Sequence, residues 1–186
     1  FFSGYAALSN EILWTRFLSL LIRNTVYTYT LTLTVILLGI VLGSVLTSGL
    51  FDRSHRRVFL FGAAQVASGI MVLSVLMLPP QTWQHWLGTT NLTTQMWMVV
   101  LILLVPSVLS GVSFPMAVRM VVDRPVHAGG GVGRMTALNT AGGIAGSLAT
   151  GFLLLPHLGL QVALLSTTGM SLLIGFGAWI FVERRV

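Results

Sequence analysis

Apolar residues in this 186-residue chain come in long blocks separated by short polar clusters. A strand alternates apolar and polar positions, whereas a membrane-crossing helix needs about 20 mostly apolar residues to bridge a hydrocarbon core of roughly 30 Å. Six blocks reach that length, at 4–22, 26–51, 58–78, 97–118, 136–156 and 160–182. One segment points the other way. "TYTLTLT", from Thr28 to Thr34, alternates like a strand, but the apolar run that follows it through Leu46 has helical length. Helix is therefore expected there, with threonine hydroxyls bonding back to carbonyls one turn earlier. The pattern predicts an all-α integral membrane protein, with residues 1–186 forming a single membrane domain of six transmembrane helices.

Composition agrees. The chain is 55% hydrophobic and 8% charged, with a mean hydropathy of +0.90, against roughly 25% charged residues in an ordinary soluble domain. A net charge of +6 would suggest nucleic acid in a soluble protein, but the arginines cluster between apolar blocks. Arg53, Arg56 and Arg57 lie between blocks two and three, Arg119, Arg124 and Arg134 flank the connection between four and five, and Arg184 and Arg185 follow block six. All fall on one side. The opposite connections carry only Arg23, so the positive-inside rule puts both termini in the cytoplasm and nucleic acid is not an expected partner. Trp83, Trp86 and Trp97, in or beside the outer connection, are expected to form an aromatic belt. The absence of cysteine excludes disulfides and thiolate metal sites. The chain opens at Phe1 inside an apolar run, as expected of a processed piece, with no visible signal peptide.

Internal similarity suggests how the six blocks are arranged. "GSVLTSG" in block two resembles "GSLATG" in block five, and Arg16 stands as far before Gly43 as Arg119 stands before Gly146. Three helices per unit would place the copies in opposite senses, giving two inverted three-helix repeats. Gly39 and Gly43, like Gly142 and Gly146, recur at four-residue spacing, as do Ala145 and Ala149. Such spacing brings helix backbones close in a medium that supplies no hydrophobic drive. These glycines are expected to pack against helices of the same chain.

Block one carries the charges that need explaining. In "SNEILWTRFL", Glu11 and Arg16 are five residues apart, about 140° around a helix, so they cannot meet on an unkinked span. A charge at mid-membrane costs at least about 2.5 kcal/mol and normally faces the protein interior. Gln65, Arg119 and Asn139 are candidate partners for Glu11, and Arg16 can snorkel to the outer interface. Glu11, Arg16, Arg119 and Asn139 are thus read as an intramembrane polar lock, with a proton or cation site at Glu11 as the alternative. Other motifs are weaker. "GGGVG", Gly129 to Gly133, follows no strand and lacks a Gly-Lys-Ser/Thr ending, so it reads as a flexible loop and not a phosphate cradle. His55, His85, His127 and His157 have neither metal-ligand spacing nor a nearby carboxylate. "NLT" at Asn91 fits a glycosylation sequon but carries no weight. No metal, cofactor or catalytic residue is expected.

Longer motifs suggest a family. "SGLFDRSHRR", with Asp52, Arg53, Arg56 and Arg57, looks like the loop between the second and third helices of the major facilitator superfamily. "FFSGYAALSNEILWTRFLSL", "LLGIVLGS", "LSGVSFPMAVRMV" and "GGVGRMTALNTAGGIAGSLATGFLLLPHLGLQ" together resemble the membrane module of the bacterial fused major-facilitator and spermidine-synthase family. The likeness includes Glu11, Trp14 and Arg16 and the Phe114–Pro115 kink. Asn10 departs from it, standing where an aromatic residue is usual. So does the missing soluble aminopropyltransferase domain: the acids here are Glu11, Asp52, Asp123 and Glu183, too few to hold amine and ribose. The resemblance implies a bacterial inner-membrane protein without enzymatic activity. It is expected to be an anchor or accessory subunit of a larger membrane assembly, such as an energy-transducing one, with lipid and other membrane subunits or a second copy as partners. The alternatives are a half-transporter that pairs to twelve helices, for instance for polyamines, and the membrane part of an aminopropyltransferase.

Overall fold

The computed structural model describes residues 1–21, 26–50, 57–88, 91–121 and 128–183, and among them there is helix and no strand. The elements are α1 (Phe2–Leu21), α2 (Val26–Leu50), α3 (Arg57–Met77), α4 (Pro80–Gly88), α5 (Leu92–Val121), α6 (Ala128–Ala149), a π-helical turn (Thr150–Leu154) and α7 (Leu155–Glu183). Four helical stretches are long and apolar enough to cross a membrane: Tyr29–Ser48, Val58–Met77, Thr93–Met120 and Gly129–Ile180. Helix follows from the environment such sequences suit, because in hydrocarbon each backbone N–H and C=O must find its partner within the protein.

Local chemistry confirms helix where the pattern was ambiguous. The hydroxyls of Thr30 and Thr34 donate to the carbonyls of Val26 and Thr30 at 2.9 and 2.8 Å, so these two polar groups of the alternating segment are spent on the backbone of α2 itself. In α5 the interior Pro115 removes the N–H that would pair with the Gly111 carbonyl. The Ser44 hydroxyl of α2 lies 3.3 Å from that same carbonyl and 2.9 Å from the Ile40 carbonyl of its own helix, so its one proton is shared between the two acceptors.

Three features differ from the sequence pattern. The glycine run expected to be a loop lies in α6, which begins at Ala128. A side chain at Gly129, Gly130 or Gly133 would meet no neighbouring atom among the described residues. The outer connection contains the short helix α4, and its Trp83 turns into the core instead of joining a belt; the Trp83 indole donates to the Val75 carbonyl at 3.3 Å, while Trp86 and Trp97 are exposed. Between the last two blocks two helices meet at a kink with no intervening loop. Gly159 there has φ 76° and ψ 172°, a left-handed conformation that a side chain would strain.

Contacts give the relative directions of the helices. α2 packs most extensively on α5, α3 on α7, and α1 on α6; α3 with α5 and α1 with α7 form secondary seams, and α2 does not touch α3. Gly142 lies against Phe1 and Gly146 against Tyr5, so α1 and α6 run parallel. Asn10 meets Thr167 while Phe17 and Leu20 lie beside Leu160 and Leu164, so α7 runs antiparallel to α1. The chain therefore reverses across the π turn and Gly159.

The core divides in two. One apolar cluster gathers Leu13, Trp14 and Leu18 with Val72, Val75, Trp83, Leu103 and Leu164. The other, centred on Phe61, Ala64, Val112 and Met116, lies toward the opposite ends of α3 and α5. Between them in sequence along these helices fall buried polar residues: Ser9 and Asn10 on α1, Gln65 and Ser68 on α3, Ser107 on α5, and Thr167 and Thr168 on α7.

Candidate functional site

Glu11 enters this polar layer from the middle of α1. It is half-buried and borders a cavity of about 50 Å³ shared with Asn10 and Trp14 of α1, Ile36 of α2, Ser68 of α3 and Ser107 of α5. Its carbonyl accepts from the Thr15 hydroxyl at 2.9 Å, but among the described residues its carboxylate accepts no hydrogen bond and forms no ion pair. Ser107 donates to the Leu103 carbonyl at 2.7 Å, which leaves its oxygen lone pairs toward other donors.

The residues named from sequence are dispersed around this point. Arg16 is exposed, one and a half turns beyond Glu11 on a different face of α1. Gln65 donates to the Ser3 hydroxyl at 3.5 Å. Asn139 lies on α6 with its backbone and side-chain oxygens close to Gly4, about two turns before Glu11. Arg119 occupies the last turn of α5, half-buried. The four glycines all sit at helix crossings: Gly39 against Ser107, Gly43 against the Val108 carbonyl, Gly142 against the Phe1 carbonyl and Gly146 against the Tyr5 carbonyl. Asp52, Arg53 and Arg56 of the facilitator-like loop lie outside the described residues, as does the Arg57 side chain. No group of three potential metal-ligating His, Cys, Asp or Glu residues occurs among the described residues.

Several polar groups were not singled out from sequence. The Thr167 hydroxyl donates to Asn10 Oδ1 at 2.8 Å, a buried link that ties α1 to α7. The Ser9, Thr150 and Thr168 hydroxyls and the Trp14 indole N–H are buried without a hydrogen-bond partner among the described residues. Each such group costs about 1–3 kcal/mol. The available signal was the four-residue spacing of Thr167 and Ser171, which puts both on one face of α7. Thr150 opens the π turn, a geometry that recurs at functional positions.

Chemically, the Glu11 cavity has room for a few waters or a bare cation, since each water needs about 10–15 Å³ of such space. Organic ligands usually occupy roughly 300–1,000 Å³. Comparison of the chain with protein-family models, with curated proteins and with solved structures returned no match.

Proposed function

We propose that the chain is a non-catalytic membrane module of six crossings that serves as an anchor or accessory subunit of a larger membrane assembly. The observation that carries this is the contrast between its faces. Outward surfaces present Leu37, Val41 and Val45 on α2, Leu148 on α6, and Leu173 and Phe176 on α7. Hydroxyls on such surfaces are turned back into their own helices, as at Ser74, Ser147 and Ser166. The carboxylate of Glu11 faces a cavity too small for a metabolite.

Six crossings account for the lengths. Gly129–Ile180 spans 52 residues, roughly 78 Å as straight helix, more than twice the hydrocarbon thickness. Its two limbs run oppositely along α1, which supports counting them as two. α1 is 20 residues long, enough for one crossing despite Glu11 and Arg16. Inverted repeats are supported by the contacts. The offset that carries Arg16 to Arg119 and Gly43 to Gly146 also carries Tyr5, the neighbour of Gly146, to Val108, the neighbour of Gly43. It exchanges the α1–α6 and α5–α2 pairs, exchanges the α1–α7 and α5–α3 seams, and maps the Gly69–Leu172 contact onto itself.

A partner surface is supported by the start of α6, where Gly129, Gly133, Ala137 and Ala141 recur every four residues and the two glycines meet no neighbour among the described residues. The family resemblance points to the bacterial inner membrane, and the arginine distribution puts both termini in the cytoplasm. Cysteines introduced singly at His55 and Thr89 test that orientation, because an impermeant maleimide applied to intact cells should react only at Thr89. Labelling at His55 reverses it.

Gentle detergent extraction from the native membrane tests the role: the chain should migrate with larger membrane proteins, and migration only as a monomer would defeat the proposal. The second reading, a half-transporter, is favoured by the unpaired Glu11 carboxylate at the polar layer. Reconstituted Glu11→Gln protein distinguishes them. The accessory reading expects reduced assembly or detergent stability and no substrate uptake by either form. Saturable, proton-driven polyamine uptake by wild type that the variant loses would establish the transporter.

A further inference from the structure

A second cavity, of about 340 Å³, lies where α1 and α3 end and α7 begins, bordered by Phe17, Leu76, Met77, Leu160 and Leu164 with Trp83 of α4 alongside. We infer that it seats one acyl chain of a membrane phospholipid, with the headgroup at the level of Trp86.

The lining excludes polar ligands. Among the described residues Gln161 is its one polar side chain apart from the indole of Trp83, and that indole N–H is already donated to Val75. None of the four buried unpartnered polar atoms borders this cavity; Trp14, which carries one of them, borders the Glu11 cavity instead. A partner helix packs through small residues that let backbones approach, and among the described lining residues there is no Gly, Ala, Ser or Thr. A single flexible hydrocarbon chain is narrow enough and needs no hydrogen bonds.

Access comes from the lipid side. Leu20 and Met77 at the rim are 62% and 76% exposed. Over the cavity, Trp83 is buried and Trp86 exposed, their rings edge to face with centroids 5.8 Å apart, and Phe17 continues the aromatic wall at 5.7 Å from Trp83. Tryptophans with one buried and one exposed neighbour of this kind suit the boundary between headgroups and acyl chains. A chain entering between Leu20 and Met77 would run along the Trp83 ring into the gap beside Leu164.

The inference rests on the membrane reading above, and stable insertion into vesicles tests that reading separately. Leu76→Phe and Leu160→Phe, each changing a half-buried residue of the wall, narrow the cavity from opposite helices. Native mass spectrometry after detergent washing should find wild type carrying one phospholipid that both variants hold roughly tenfold more weakly. In vesicles of phosphatidylcholine brominated on its acyl chains, wild-type tryptophan fluorescence should be quenched more than that of either variant. Equal retention and equal quenching in protein that inserts normally would overturn the seat, and so would recovery of an isoprenoid quinone or a pigment in place of phospholipid. Should one variant fail to fold, the other decides.

Discussion

The α1–α7 seam and the α3–α5 seam occupy corresponding places under the proposed repeat, yet at four matched positions they are filled differently. The second is a small apolar core of Phe61, Ala64, Val112 and Met116. The offset that relates the glycine crossings carries these positions to Leu164, Thr167, Ser9 and Leu13, of which two are polar and buried. A common backbone arrangement therefore accepts either filling. The polar seam gains one hydrogen bond, from Thr167 to Asn10, and leaves Ser9 and Thr168 without partners. Closeness of helices is set elsewhere, by glycines at the α1–α6 and α2–α5 crossings, and the seams are free to differ. What the polar seam adds is register: a buried hydrogen bond between helices holds one alignment, where apolar side chains tolerate several.

The strongest way to break the comparison is at the crossings both halves share. Gly43→Val and Gly146→Val each place carbons where the Val108 and Tyr5 carbonyls already sit. Overpacking of this kind against backbone should cost about 3 kcal/mol or more, and both variants should lose the folded form by size-exclusion chromatography in mild detergent. Tolerance at one and collapse at the other would show that the halves are not equivalent.

Next come the apolar positions common to both seams. Leu13 is fully buried and Met116 is 2% exposed. Leu13→Ala and Met116→Ala should each lower stability by about 2–5 kcal/mol in SDS-titrated unfolding. A small loss at Leu13 alone would mean that the polar seam is too loosely packed to register a cavity.

How much of this was legible in the sequence depends on which physical rule applied. Helix identity followed from block length and hydropathy because lipid permits few alternatives, and the glycine crossings followed from four-residue spacing. The α6 start was misread because Gly129 to Gly133 looks like a loop by propensity, and propensity yields to context. Trp83 was placed at an interface because tryptophan position was inferred from block boundaries alone, whereas α4 rotates it inward. At the candidate site, Glu11 was visible as a charge in an apolar run, and its failure to reach Arg16 followed from helix geometry. The Asn10–Thr167 link joins residues 157 apart in sequence, and no local pattern encodes such a pairing.

That link sharpens the comparison at intermediate energy. Asn10→Ala, Thr167→Val and the double variant form a cycle whose coupling should be about 0.6–1.7 kcal/mol, the range for hydrogen bonds between membrane helices. In the Asn10 variant the single Thr167 proton can turn to the Leu164 carbonyl, 3.1 Å away, which limits the loss. The corresponding pair in the apolar seam, Ser113 and Ala64, should show no coupling, because the Ser113 hydroxyl donates to Leu109 within its own helix. Zero coupling between Asn10 and Thr167 would remove the register argument.

The smallest effect is also the one that separates the two seams most directly. Ser9 and Thr168 are fully or almost fully buried, at 0% and 2% exposure, and their hydroxyls have no partner. Ser9→Ala and Thr168→Val delete or replace only those hydroxyls, with little change of shape in the second case. Removing an unsatisfied buried polar group recovers its desolvation cost, so both variants should be neutral or slightly more stable, by up to about 1 kcal/mol. The reciprocal change, Val112→Ser, puts a hydroxyl into the apolar seam at the position matching Ser9 and should lower stability by about 1–3 kcal/mol. Opposite signs for Ser9→Ala and Val112→Ser would leave both seams optimised for an apolar filling, with the hydroxyls retained for a purpose other than stability. A loss of more than about 1 kcal/mol for Ser9→Ala would mean instead that the hydroxyl is satisfied in the membrane, by bound water or by the partner assembly, and that the α1–α7 seam is wet where its counterpart is dry.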